Sequence, residues 1–396
     1  MSFWHSNRRK VGGPSANVMD GDHVKIASAQ PEQLTIVRPG EYFGPAAIEA
    51  DYRRLALQSS FWIPPFSDFV QYWARTEEPK LLALAHVNGR LTGFASFSAF
   101  ALPWTIFLGG NRTIRIPLVQ AGLFGGSVLG TFNDRFASEI ITRLFRDLRF
   151  DMLALANLPL KNGLSEGFLR SHVAGPRSVA TRRTARRLII LPGCYGEFLE
   201  SLRASTAKAV RRDQRMFGRL APMYDVITTE EQIPQFVIEA AAVSSITQKT
   251  ERGAGGVADT PVMRERLRNL AQQGRLRAYL ARVDGKAVAC AWGELSHGVF
   301  YFRDTAFDPA FKRYSPGRAI LLHAVADLID AGARVFDFGV IDFEYKARLS
   351  NHSVESANVY IARTSSPRGW LAVTLQMAAD WVKALAHRRL SRRRSS

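Results

Sequence analysis

Leu276-Arg277-Ala278-Tyr279-Leu280-Ala281-Arg282-Val283-Asp284-Gly285-Lys286 reads as a strand, a tight turn and the start of a second strand. Leu81-Leu82-Ala83-Leu84-Ala85-His86-Val87-Asn88-Gly89-Arg90 has the same pattern earlier in the chain. Asp-Gly and Asn-Gly suit two-residue hairpin turns because both central positions need positive φ. Each hairpin is followed by more strand, then an amphipathic helix, Arg135 to Arg149 or Gly317 to Ala331. An apolar strand comes next, Asp151-Met152-Leu153-Ala154-Leu155 or Arg334-Val335-Phe336-Asp337-Phe338. The same order twice predicts an α/β fold with mixed sheets, built as two tandem domains of one type. The expected division is a disordered leader over 1–30, a first, degenerate domain over 31–190, a second over 195–365, and an amphipathic helix with a basic tail over 366–396.

Outward from the hairpins, Leu34-Thr35-Ile36-Val37 reads as a strand, Pro45 to Ser59 as a helix, and Phe61-Trp62-Ile63-Pro64-Pro65-Phe66 as an aromatic connection. The stretches 91–111 and 116–133 hold no charged residue. Pro103, Gly109-Gly110-Asn111, Pro117 and Gly125-Gly126 punctuate them as turns do, which favours buried strands over membrane spans. Tyr195 to Gly218 reads as one long helix, with Leu199, Leu202, Thr206, Val210 and Phe217 on one face and Lys208, Arg211, Arg212, Arg215 and Arg219 on another.

The 396 residues carry 53 Lys and Arg against 35 Asp and Glu, a formal net charge of +18. The excess is local. It sits in Arg8-Arg9-Lys10, in residues 170–219, and in a tail over 383–396 with Lys383, Arg388, Arg389, Arg392, Arg393, Arg394 and no acid. A neutral body with basic clusters points to a few anion-seeking patches, not to a surface that wraps nucleic acid. Trp370, Leu371, Val373, Thr374, Met377, Trp381 and Leu385 make the last helix amphipathic, which suits peripheral contact with anionic headgroups. Two cysteines, Cys194 and Cys290, cannot build a disulfide framework, and Met1 to Gly13 has no apolar signal core. The expected location is cytoplasmic, with peripheral contact at the inner membrane face.

The densest chemistry lies between Phe300 and Arg348. Lys312-Arg313-Tyr314-Ser315-Pro316-Gly317-Arg318-Ala319 leads a loop straight into a helix. Proline presets the first-turn φ, glycine admits a ligand, and helix-start amides with nearby cations suit a pyrophosphate. Further on, Asp337, Asp342, Glu344, Tyr345 and Lys346 cluster after an apolar strand, where ligands of α/β sheets tend to lie. Carboxylates, a phenol and an amine so close together offer proton donors and acceptors for a transfer reaction. The eight histidines lie far apart without ligand spacing, so no metal is expected.

Phe307-Asp308-Pro309-Ala310-Phe311-Lys312-Arg313-Tyr314-Ser315-Pro316-Gly317, then Phe336-Asp337-Phe338-Gly339, then Asp342 and Tyr345-Lys346, resembles the GNAT-superfamily acyltransferases of the CelD-like group, associated with bacterial polysaccharide biosynthesis. Phe198-Leu199-Glu200-Ser201-Leu202 with Lys208 and Arg211-Arg212 is similar to that family's preceding helix, so the resemblance covers roughly 195–365. The doubled architecture is similar to the tandem GNAT arrangement of Fem-type aminoacyltransferases.

The resemblance implies an N-acyltransferase that uses acyl-CoA, acetyl or longer, as co-substrate and no metal. The acceptor is a small-molecule or sugar amine that attacks directly, linked to polysaccharide or cell-envelope synthesis. Arg313, Ser315, Pro316, Gly317, Arg318 and Ala319 are then the expected donor site. Asp337, Asp342, Tyr345, Tyr301 and Glu344 are the expected catalytic groups, and Arg303 and Lys346 the expected acceptor contacts. Two departures stand out: Tyr314 takes the basic position of the family's Gln/Arg-x-x-Gly-x-Gly/Ala pattern, and Val340-Ile341-Asp342-Phe343-Glu344 keeps the family's Asp but displaces its Glu. Two other readings stay open, an aminoacyl-tRNA-dependent Fem-like transferase and a catalytically inactive GNAT-like scaffold.

Overall fold

The computed structural model describes residues 33–39, 45–75, 77–109, 112–124, 128–160, 168, 179–247, 256–339 and 343–394. The leader expected over 1–30, and Asp342, lie outside the described residues. The first half runs β1 (Gln33–Val37), α1 (Pro45–Gln58), α2 (Phe66–Arg75), β2 (Lys80–Val87), β3 (Arg90–Ala101), β4 (Trp104–Gly109), β5 (Arg112–Ile116), β6 (Val119–Leu123), β7 (Leu129–Gly130), α3 (Asp134–Asp147), β8 (Met152–Pro159) and β9 (Val179–Ile190). The second runs α4 (Tyr195–Ser201), α5 (Ala204–Gly218), β10 (Met223–Ile227), α6 (Ile233–Ser245), α7 (Pro261–Gln272), β11 (Leu276–Val283), β12 (Lys286–Ser296), β13 (Val299–Phe307), α8 (Pro316–Asp330), β14 (Val335–Asp337), α9 (Glu344–Leu349), β15 (His352–Ala362) and α10 (Pro367–Arg394).

The two hairpins are copies of one unit. Asn88 and Gly89 turn with φ of 48° and 75°, Asp284 and Gly285 with 48° and 76°. Each hairpin then slips register at the same place, after Ala85 and after Ala281. Alternation sends Leu81, Ala83 and Ala85 into the core under α3, and Leu82 and Leu84 into the core under α1 and α2. Likewise Tyr279 and Ala281 pack with Ile320 and Val325 of α8, while Ala278 and Leu280 pack with Phe236 of α6 and Leu267 of α7. The uncharged stretches supply β3, β4, β6 and β7. No helix among the described residues is long and apolar enough to cross a membrane.

Among the described residues thirteen strands form one sheet, along β1-β2-β3-β6-β8-β15-β9-β14-β13-β12-β11-β10 with β7 beside β3. Its centre is a reciprocal exchange. β9, from the first half of the chain, pairs with β14 of the second, and β15, from the end of the second, pairs with β8 of the first. β9 and β15 pair with each other from Val179↔Ile361 to Leu188↔His352. The linear division expected between 190 and 195 therefore cuts across the sheet's own continuity.

Two expectations are corrected. The single helix over 195–218 is broken, because Leu202 and Arg203 are extended, with ψ of 151° and 139°. The break lets Phe198 of α4 and Val210 and Phe217 of α5 reach the same core below α8. The apolar stripe expected on the last helix is divided between two faces. α10 docks through Ala372, Val373 and Ala379 on Ile106, Ile116 and Tyr360, and Trp104 Nε1 donates to Gln376 Oε1 at 3.3 Å. Small residues set this face because they let the helix approach the β4–β5 hairpin closely, which leaves Leu371, Met377 and Trp381 outside.

Two features shape the site. β13 is registered with its parallel neighbour β14 only over Val299–Tyr301 against Val335–Asp337, so residues 302–307 run on without it. β13 is also bulged: Trp292 faces Asp304, but Gly293 faces Phe302. Bulges bend a strand and re-aim its side chains. Gly293 is required there, since a Cβ would fall on the Tyr301 carbonyl oxygen and the Phe300 ring. Gly293→Ala should lower unfolding stability by about 3 kcal/mol, measured by urea denaturation.

Candidate active site

The loop after β13 closes on itself. Asp308 caps the 309–314 turn by accepting from the Ala310 amide at 2.9 Å, and Ser315 takes the left-handed conformation at φ 56° before Pro316 opens α8. Sequence reasoning gave these amides to a ligand, and the structure commits most of them internally. Ser315 N–H donates to Lys312 O at 3.1 Å, and Arg318 and Ala319 N–H both donate to Ser315 O, at 3.0 and 3.1 Å. Pro316 has no amide, so at most the Gly317 N–H remains. Glycine at 317 is explained by the Phe307 ring, whose Cδ1 would lie 2.9 Å from an added Cβ. Arg318 is paired with Asp213 of α5, a carboxylate only 4% exposed that Arg212 also holds. The outward charge of the bend is carried by the exposed Lys312 and Arg313, the latter stacked 4.6 Å over Tyr314. α5 packs on the 309–314 segment and exposes Lys208, Arg211, Arg212 and Arg215.

At the other end of the split lies Asp337, which has no exposed surface. It accepts from Arg186 through both carboxylate oxygens, from Trp62 N–H at 3.2 Å and from Gly339 N–H at 2.8 Å. A carboxylate so fully engaged is a strut and has no lone pair left for a substrate proton. Tyr301 stands beside it in the parallel register, with its hydroxyl 3.1 Å from where a Gly339 Cβ would be. Trp62 lies 5.4 Å from the Tyr301 ring, and the Arg303 guanidinium sits 4.4 Å over Tyr301 and 5.3 Å over Trp62. The aromatic connection of the first half thus forms a wall of the second half's site.

Arg303 also donates through Nε to Glu294 Oε1 at 2.5 Å. Glu294, 3% exposed, further accepts from Arg275 at 3.0 Å, and Arg275 reaches across to Asp68 of α2 at 3.0 Å. Asp68, Arg275 and Glu294 line a cleft of about 370 Å³ with Arg266, Asn269 and Gln273.

The remaining expected residues divide. Tyr345, in the first turn of α9, has its ring centroid 6.3 Å from Phe338, which in turn lies 5.9 Å from Phe302 on the part of β13 that runs beyond β14. Burial, with the charge of Asp304 adding to it, pushes the Tyr345 phenol above its ordinary range, so it stays protonated at neutral pH. Lys346 is buried and donates through Nζ to the Phe338 carbonyl at 2.7 Å, which fixes the turn after β14. Glu344 is exposed and paired with Arg348 one turn on. Among the described residues no group of three or more His, Cys, Asp or Glu could hold a metal ion.

Sequence reasoning missed Trp62, Arg186, Asp213, Arg275 and Glu294. Trp62 and its partner Asp337 are 275 positions apart, and no local period links them. Arg186→Leu should cost about 3–5 kcal/mol in chemical denaturation, because it leaves a buried carboxylate unpaired. Arg186→Leu with Asp337→Leu should recover much of that loss.

With this geometry in hand, residues 204–347 match a family model described as an acetyltransferase (GNAT) domain. No curated protein matches the chain. Among solved structures the chain is similar to FemX, with 9% identity, 83% of this chain and 96% of that chain covered, and a TM-score of 0.52. It is also similar to a tandem GNAT protein from the clavulanic acid biosynthesis pathway, at 13% identity, 84% and 100% coverage and a TM-score of 0.43. A third likeness is to the C-terminal domain of a putative lysylphosphatidylglycerol synthetase from Agrobacterium fabrum, at 12%, 72% and 84%, and 0.44. At such identities the FemX likeness speaks to the fold alone. The chain is a mixed α/β protein whose residues 204–347 match the acetyltransferase (GNAT) domain model.

Proposed function

We propose that this chain is an N-acyltransferase that moves an acyl group from acyl-CoA to an amine, of the CelD-like kind that the motifs resemble, with a polysaccharide or cell-envelope amine as acceptor. The observation that carries this reading is the parting of β13 from β14: an open strand edge over 302–307, with the cationic bend at one end and Tyr301 at the other. The donor's acyl arm lies along that edge, and its diphosphate meets Lys312 and Arg313. The acceptor enters on the side of Trp62, Tyr301 and Arg303. The amine nitrogen attacks the thioester carbonyl carbon, the C–N bond forms and the C–S bond breaks. Tyr345, kept neutral by burial, gives its proton to the leaving thiolate. The amine's proton leaves to water, since Asp337 is occupied by its four donors. Holding donor and acceptor in attack geometry supplies much of the rate.

A second reading, aminoacyl-tRNA as donor on the same fold, is favoured by the exposed Arg203, Lys208, Arg211, Arg215 and Arg219 along α5, a face suited to phosphates.

Acetyl-CoA or a longer acyl-CoA should raise the melting temperature, because a ligand of the native state stabilises it. Lys312→Glu with Arg313→Glu, at exposed positions, should remove most of the shift. An unchanged shift rejects the bend as the diphosphate site, and stabilisation by charged tRNA but by no acyl-CoA selects the second reading. Tyr345→Phe should lower kcat about 100-fold in a thiol-release assay while KM for the donor stays constant. Because the phenol's pKa is raised, its proton is retained as pH climbs through the ordinary tyrosine range. The wild-type rate should therefore show no alkaline fall near pH 10, and a fall there assigns the proton to another group.

A further inference from the structure

The outer face of α10 is the surface that the fold and the reaction leave unused. It exposes Leu371 (52%), Met377 (47%), Trp381 (66%) and Val382 (55%). At 3.6 residues per turn, Leu371, Thr374, Met377, Ala378, Trp381 and Val382 fall on one side of the helix, opposite the docked Ala372, Val373, Gln376 and Ala379. Single exposed apolar residues are common, but four large ones within about three turns form a continuous stripe. The helix backbone continues to Arg394, through a segment with Lys383, Arg388, Arg389, Arg392, Arg393 and Arg394 and no acid.

We propose that α10 docks the protein on an anionic lipid surface. An apolar stripe that continues into a wholly cationic end is complementary to acyl chains beneath acidic headgroups. α10 is not apolar enough to cross the bilayer, so it lies in the interface plane with its inner face still on the β4–β5 hairpin. A second copy of α10 is the poorer occupant, since it would cover the apolar stripe but bring a single acid, Asp380, to set against the cationic end.

The test is flotation of the full chain with vesicles of phosphatidylcholine alone and of phosphatidylcholine with phosphatidylglycerol. Binding is expected only to the second kind, weakening as salt rises. Arg388→Gln with Arg389→Gln should weaken it roughly thirtyfold. Trp381→Glu with Val382→Glu, which alters no docked residue, should abolish it while thermal unfolding in lipid-free buffer stays at the parent value. The proposal is overturned if the parent floats with neither vesicle, or if both variants float as well as the parent. It is also overturned if the parent is a dimer without lipid and Trp381→Glu makes it a monomer.

Discussion

Arg186 and Asp337 meet where the two halves of the chain have traded strands, and both are almost wholly removed from water. Removing a carboxylate and a guanidinium from solvent is costly, and only near-complete hydrogen bonding offsets it. Here the carboxylate is filled from both sides. Arg186 comes from β9, Trp62 N–H from the first half, and Gly339 N–H from the turn that ends β14. The Arg186 guanidinium in turn lies 4.4 Å over the Phe61 ring. One buried pair therefore fixes the strand exchange, the aromatic connection 61–62 and the turn at 339. The position of Tyr301, between Trp62 and Gly339, follows from those three.

This makes the first half a structural partner of the candidate site. Phe61 and Trp62 wall the site, and Asp68 reaches Arg275 across the seam. Glu294 then gathers Arg275 and Arg303 into one network, so that displacement of α2 would be felt at the residue stacked over Tyr301. Buried ionic networks of this kind add little net stability but fix geometry when every member is satisfied.

The parts of this architecture that the sequence makes legible are the ones written locally. Asn88-Gly89 and Asp284-Gly285 dictate their turns through positive φ, and the apolar alternation on either side needs no distant partner. The order of strands and helices follows, and with it the doubling of the hairpin unit. What sequence reasoning missed depends on pairs distant in the chain. Asp337 looks like a base in a motif, and only its encounter with Arg186 makes it a strut. Gly317 looks like a ligand's approach, and only the Phe307 ring accounts for it. The break at Leu202–Arg203 carries no glycine or proline, and is decided by the shared core that Phe198 and Phe217 must reach.

The crossing of β9 and β15 bears on how such a protein can evolve. Neither half owns a complete set of strands, so neither can be excised, shuffled into another gene or lost without leaving its sibling with an open seam. The first half is thereby held in the chain by its partner's need for a neighbour. Its surface is left to diverge, while its central strand answers to the other half's candidate site.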